Sequence, residues 1–138
     1  MNEQAESNLK WLGKLTREYQ KELDQVLIPL HLNSSNYYFI MKIHDHGRLP
    51  QEKLVALTGL NGSNVTRTVQ KLIDQGFVVK EKNEQDRRGF LLALTSVGEK
   101  IYDQVVIAVK KAQAIFYSKL TVDEQKIFEQ LLGKLVEN

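Results

Sequence analysis

Among the polar and basic side chains between residues 61 and 71, seven are candidates for contact with a nucleic acid: Asn61, Ser63, Asn64, Thr66, Arg67, Gln70 and Lys71. In the same stretch, apolar residues recur at the spacing of one buried helical stripe: Val65, Val69, Leu72 and Ile73. At about 100° per residue, Ser63, Arg67, Gln70 and Lys71 point away from that stripe. Arginine and asparagine bind guanine and adenine edges, respectively, in a major groove. The pattern therefore predicts a helix from about 61 to 75 whose exposed face can read bases, with Arg67 as the best single candidate.

A shorter helix is predicted directly before this one. Pro50 suits a first helical turn, Leu54, Val55 and Leu57 are apolar, and Gly59 stands where the chain must turn. Asn61 or Ser63 can then cap the second helix by accepting its free N–H groups. Two helices joined by a short glycine-containing turn form a helix-turn-helix.

A β-hairpin is predicted after Gly76. Residues 77–82 and 90–94 have strand composition, and the charged loop between them carries Asp86, Arg87 and Arg88. A helix-turn-helix followed by a hairpin with two arginines at its tip is a winged helix.

The order of these motifs resembles the MarR (multiple antibiotic resistance regulator) family of bacterial transcription factors. Three parts carry the resemblance: SNVTRTVQKLIDQGFV at 63–78, Asp86-Arg87-Arg88, and Leu94-Thr95 followed by Gly98-Glu99. The resemblance implies a homodimeric repressor that binds double-stranded DNA at a pseudo-palindromic operator and is released by a small-molecule ligand. It also implies that Arg88 enters the minor groove and that Asp86 orients it.

Long amphipathic helices flank the winged segment. Their apolar spacing predicts helices over about 4–28, 33–46, 96–118 and 121–138, with Asn33 or Ser34, Thr95 and the Thr121/Glu124 capping box as starts. The expected fold is mainly α: a winged helix-turn-helix with a two-stranded β-hairpin wing, plus dimerisation helices from both termini. The expectation is a single domain over 1–138, with the winged part at about 33–95 and the dimerisation helices at about 4–28 and 96–138.

Four aromatic residues on the first two helices are a candidate ligand pocket: Trp11, Tyr19, Tyr37 and Tyr38. In the resembling family, small aromatic anions often bind near these helices, so a small aromatic or anionic effector is expected. Packing in the core or at an interface is the competing interpretation for each ring.

Composition excludes several functions. The 138 residues are 42% hydrophobic and 26% charged with a net charge of +2, so the basic character must be local. The chain has no cysteine, which excludes disulfides and thiol sensing. We expect no cofactor and no metal, with His31, His44 and His46 in capping or packing roles. Neither a membrane span nor an export signal is apparent, so a cytoplasmic protein is expected.

Two other interpretations are weaker. Residues 59–62 match the GXXG pattern of a KH module, but the loop interior is Leu-Asn rather than basic. No nucleophile elbow, phosphate loop or carboxylate pair supports an enzyme. The alternative from a different class is a winged-helix protein-interaction module without DNA binding, against which Arg67 and Arg88 argue.

Overall fold

The computed structural model describes residues 7–86 and 89–137. In that part of the chain a 3₁₀ turn at Asn8–Lys10 precedes six α-helices and three strands. They are α1 (Trp11–Leu27), α2 (Tyr37–His46), β1 (Leu49–Pro50), α3 (Gln51–Thr58), α4 (Gly62–Asp74), β2 (Val78–Lys82), β3 (Phe90–Leu94), α5 (Ser96–Phe116) and α6 (Val122–Val136). This order is a mainly α fold with a winged helix-turn-helix, as predicted.

One hydrophobic core joins the long helices to the winged part. Helix α1 packs along α5, and α2 packs against both α5 and β3. These elements and α4 contribute side chains that water does not reach, among them Leu27, Phe39, Ile43, Leu72, Leu92 and Val105. Burying them supplies the main favourable free energy for holding the elements together.

The sheet has three antiparallel strands in the order β1-β3-β2. Val78 pairs with Leu94 and Lys82 with Phe90, while Leu49 pairs with Leu92 on the other side of β3. The predicted two-stranded hairpin is confirmed as β2 and β3, and β1, which was not predicted, adds a third strand to the sheet. β1 has only two residues, too few to show an alternating pattern, and its Pro50 is tolerated because the strand lies at the edge of the sheet.

Most helix boundaries follow the predicted signals. Asn61, Thr95 and Thr121 cap α4, α5 and α6, and Glu124 completes the capping box of α6. Gly59 and Gly76 have φ angles of 70° and 83°, the left-handed conformation that glycine adopts without strain.

The start of the second helix was predicted wrongly. Helix α2 begins at Tyr37 with Asn36 at its N-cap position, not at Asn33 or Ser34. The side chain of Asn33 instead accepts hydrogen bonds from the backbone N–H groups of Ser35 and Asn36. Asn36 is buried and accepts from the N–H of Asn33 in return. These local bonds stabilise a turn that competes with helix formation.

No helix within the described ranges is both long enough and apolar enough to cross a membrane.

Candidate nucleic-acid interface

Helix α4 is fixed to the core along one face. Val65, Val69 and Leu72 are no more than 1% exposed, and Leu54 of the neighbouring α3 is fully buried. Because these residues recur every three or four positions, they set the rotation of the helix about its axis. The opposite face must therefore point outward.

The outward face of α4 is polar. Ser63, Arg67, Gln70 and Lys71 are exposed, and Asn64 is half-buried. The Arg67 guanidinium donates a hydrogen bond to the Asn64 side chain, and Gln70 Nε2 donates to Asp74 Oδ1 at 2.9 Å. These side chains therefore form a polar surface that carries the positive charges of Arg67 and Lys71.

Asn61 and Thr66 are partly committed to the fold. The Asn61 Oδ1 atom accepts from the Asn64 N–H and the Ser63 hydroxyl, each at 2.8 Å. The Thr66 hydroxyl donates to the Gly62 carbonyl at 2.9 Å and accepts from Gln51 Nε2 at 3.0 Å. Both residues position the start of α4, so their predicted contacts with DNA would come in addition to these bonds.

The wing tip is a compact turn between β2 and β3. The Asn83 N–H donates to the Gly89 carbonyl, and the Asp86 N–H donates to the Asn83 carbonyl. Asp86 is exposed at this tip. The predicted arginines of the wing, Arg87 and Arg88, lie outside the described residues.

A close contact joins the exit of α4 to the start of α5. Gly98 is buried, and a Cβ atom added there would lie 2.1 Å from the carbonyl oxygen of Phe77. The same oxygen accepts from the Thr95 N–H at 3.0 Å, and the Thr95 hydroxyl donates to the Gly76 carbonyl at 2.6 Å. The position of α5 relative to the winged part is therefore set at this junction, a role of Gly98 that sequence analysis missed.

The side chains of His44 and His46 make packing and capping contacts, and His31 makes a backbone contact. The His44 ring stacks on Tyr102 with centroids 3.5 Å apart, and His44 Nδ1 lies 2.7 Å from Glu99 Oε2. His46 Nδ1 lies 2.9 Å from the Lys42 carbonyl, and the His31 carbonyl accepts from Gln75 Nε2. Within residues 7–86 and 89–137, no three His, Cys, Asp or Glu residues are grouped to hold a metal ion.

A cavity of about 450 Å³ lies between α1, the start of α2, the end of α5 and α6. Tyr19 and Tyr37 line it, as two of the four predicted pocket residues. The other two do not line it. Trp11 is exposed on α1 beneath Lys10 and Lys14, and Tyr38 lies beneath Lys42.

Sequence analysis missed much of the cavity wall. Tyr117 and Phe128, from the end of α5 and from α6, contribute rings to it, and Glu129 contributes a carboxylate. A signal was present, because Phe116 and Tyr117 precede a turn after which α6 must fold back toward them. Burial raises the pKa of Tyr37 to about 12. Burial, together with a hydrogen bond to Glu129, raises that of Tyr117 to about 12.

This fold and surface define the class as a winged helix-turn-helix protein. Residues 32–90 match the model of the MarR family. The matched segment has the MarR-family sequence pattern, and similarity to proteins of this family extends well beyond it.

Relatives and solved structures agree with this assignment. The HTH-type transcriptional regulator YhbI of Bacillus subtilis is 27% identical over 121 residues, covering 88% of this chain and 79% of the relative. YwhA, a second such regulator of Bacillus subtilis, is 25% identical over 117 residues, with 85% and 84% covered.

Among solved structures, a mutant MarR from E. coli complexed with operator DNA superimposes with a TM-score of 0.86. It is 23% identical, and the match covers 93% of this chain and 92% of that one. A probable transcriptional regulator from Pseudomonas aeruginosa has a TM-score of 0.88 at 18% identity, with 96% and 98% covered. At these identities the structures show the shared fold.

Proposed function

We propose that this MarR-family transcriptional regulator is a homodimeric repressor that binds a pseudo-palindromic operator through α4 and is released by a small-molecule ligand. The observation that carries the proposal is the two-sided character of α4. Val65, Val69 and Leu72 of its apolar face are no more than 1% exposed, and its outward face is occupied by side chains that can bind bases and phosphates. The structural neighbour that holds operator DNA supports the same role.

Different side chains of α4 are suited to different contacts. Arg67 lies near the middle of the outward face and can donate two hydrogen bonds to a guanine edge. Ser63 and Asn64 lie in the first turn, where a recognition helix approaches bases most closely. Lys71 carries a positive charge one turn beyond Arg67 and is suited to a phosphate. We assign sequence reading to Arg67 and Asn64, and positioning to Lys71.

The wing supplies a second contact in this proposal. Arg88 would enter the minor groove, oriented by Asp86, and would respond to groove width rather than to base identity. Arg87 would contact the neighbouring phosphates.

The dimer is proposed from the uncovered apolar side chains of the outer helices. Helix α6, which the structure describes in full, has no buried residue. Leu135 is 83% exposed, Val136 79% and Ile127 55%, and Leu9 just before α1 is 69% exposed. Apolar surface of this extent marks an interaction site, and a second copy would cover it symmetrically. The two α4 helices would then enter successive major grooves about 34 Å apart.

A mobility-shift titration tests DNA binding and separates it from the alternative of a protein-interaction module. The full chain is titrated against its own promoter fragment and a shuffled fragment of equal length, at low and high salt. We expect tighter binding to the promoter and a steep loss of affinity with salt, because phosphate contacts release counterions. Equal weak binding to both fragments would contradict a sequence-specific regulator.

Sedimentation at micromolar concentration tests the dimer separately. We expect about twice the chain mass of 15.9 kDa. Leu135→Glu should shift the population toward monomer, because it places a charge in the proposed interface, whereas Lys53→Glu at an exposed position of α3, outside the proposed dimerisation helices, should not. A wild-type monomer would contradict both the dimer and the palindromic operator.

A further inference from the structure

The walls of the cavity between α1, α5 and α6 are unusually rich in aromatic rings. Tyr19, Tyr37, Phe116, Tyr117 and Phe128 all line it. The Tyr19 and Phe116 centroids are 5.0 Å apart, those of Phe116 and Tyr117 5.3 Å, and those of Tyr117 and Phe128 6.0 Å. The Tyr19–Phe116 pair is tilted and the other two pairs are edge-to-face, so the edge of one ring rests on a face of the other in those two pairs, and no pair is stacked face to face. Ring faces carry partial negative charge and attract cations.

The charge carried by the lining side chains is negative, like the partial charge of the ring faces. Glu129 is the one charged side chain among the described residues that line the cavity, which include no lysine, arginine or histidine. The Tyr117 hydroxyl donates to Glu129 Oε2 at 3.0 Å. That hydrogen bond holds the carboxylate beside the ring cluster and leaves Oε1 able to accept from a ligand.

The tyrosines add no positive charge and stay neutral. Burial raises the pKa of Tyr19, and it raises the pKa of Tyr37 to about 12. At neutral pH these phenols therefore offer ring faces and hydroxyl groups. No described residue of the lining carries a positive charge that could neutralise an anion.

We propose that this cavity binds an organic cation with an apolar body, its ammonium group seated against the aromatic rings and facing Glu129. The volume of about 450 Å³ lies within the range of small-molecule sites. The lining disfavours the anionic effector that the family resemblance implied, because the Glu129 carboxylate and the ring faces repel negative charge. The inference deepens the proposed function and rests on it only for the consequence that binding releases DNA.

Calorimetric titration of the full chain with matched probes tests the charge preference directly. The probes are benzyltrimethylammonium, benzyl alcohol and benzoate, which share one ring and differ in charge. We expect the cation to bind at least about tenfold more tightly than benzoate, with the alcohol between them, because cation–π and carboxylate attraction act only on the cation. Benzoate binding as tightly as the cation, or no binding by any probe, would overturn the proposal. A cavity filled by a second copy of the chain would give the latter result.

Paired variants locate the site. Glu129→Gln should lower the affinity for the cation roughly fivefold and leave the affinity for benzyl alcohol unchanged, because it removes only the charge. Glu137→Gln removes an equal charge just beyond α6, outside the cavity lining, and should leave all three probes unchanged. Tyr19→Leu should reduce the preference for the cation over the alcohol, because it removes one of the aromatic rings. Equal effects of the two glutamate variants would overturn the assignment to this cavity.

Mobility shifts on the promoter fragment distinguish the two levels of the proposal. If benzyltrimethylammonium releases DNA from the wild-type protein but not from Glu129→Gln at the same concentration, the result supports both the cation site and the proposed function. Cation binding in a protein that does not bind DNA would refute the proposed function and leave the site standing. DNA binding in a protein that does not bind the cation would refute the site alone.

Discussion

Replacing Gly98 by alanine should destabilise the fold because the added methyl group meets backbone rather than a flexible side chain. The Cβ atom would lie 2.1 Å from the Phe77 carbonyl oxygen and 3.2 Å from Leu94 Cβ, whereas real Cβ atoms essentially never approach within 3.0 Å. Overpacking of this kind costs about 1–3 kcal/mol. Displacing the carbonyl also weakens the bond from the Thr95 N–H, worth about 1 kcal/mol. The higher helix propensity of alanine returns about 1 kcal/mol. The net loss is therefore about 2 kcal/mol.

Urea unfolding at one fixed protein concentration measures this loss. With a typical slope of about 2 kcal/mol per molar urea, the midpoint should fall by about 1 M. Gly62→Ala is the matched control, because Gly62 also lies in the first turn of a helix and no atom lies within 4 Å of its added Cβ. Its midpoint should stay the same or rise slightly. A Gly98→Ala midpoint equal to that of wild type would refute the close packing of α5 on the exit of α4.

Three further predictions concern single side chains. Asn61→Ala should lower the free energy of unfolding by about 1 kcal/mol, because the bond from the Asn64 N–H that caps α4 is lost; an unchanged urea midpoint would contradict this. The folded protein should lose stability as the pH rises from 10 to about 12. In this range the Tyr37 phenol loses its proton in the unfolded state, with its ordinary pKa of 10.0, but keeps it in the folded state, where the pKa is about 12. In a spectrophotometric alkaline titration, Tyr37→Phe should remove a tyrosine that titrates near pH 12, whereas loss of one that titrates near pH 10 would place Tyr37 in water. Arg88→Ala should weaken binding to any duplex and reduce the salt slope by about one, whereas an unchanged slope would remove this side chain from the minor groove.

Local patterns were sufficient to predict most of the fold. The caps at Asn61, Thr95 and Thr121 depend on side chains bonding to backbone three residues away, so their signal lies within a few residues of sequence. The range of β3 was likewise predictable from its composition. β1 was missed because its two residues become a strand only by pairing with β3, which is more than 40 residues distant.

The sites were less predictable where they depend on contacts between distant elements. The outward face of α4 could be predicted from the spacing of its apolar residues. The hydrogen bond from Gln51 to Thr66 could not, because it requires α3 to lie across α4. The cavity required the packing of α1, α5 and α6, so Tyr19 and Tyr37 were anticipated while Tyr117 was not. Neighbouring aromatic residues do not indicate which side of a helix bundle is hollow.

The central claim is that α4 reads DNA sequence, and the most direct measurement compares Arg67→Ala with wild type on two duplexes. The affinity of each protein is measured for the operator and for random DNA at one salt concentration, with Arg17→Ala on α1 as a control that removes the same charge elsewhere. If Arg67 pairs with a guanine, the variant should lose roughly 1–3 kcal/mol on the operator and much less on random DNA. Equal losses on both duplexes would mean that Arg67 holds a phosphate. Operator binding by Arg67→Ala equal to that of wild type would contradict the account.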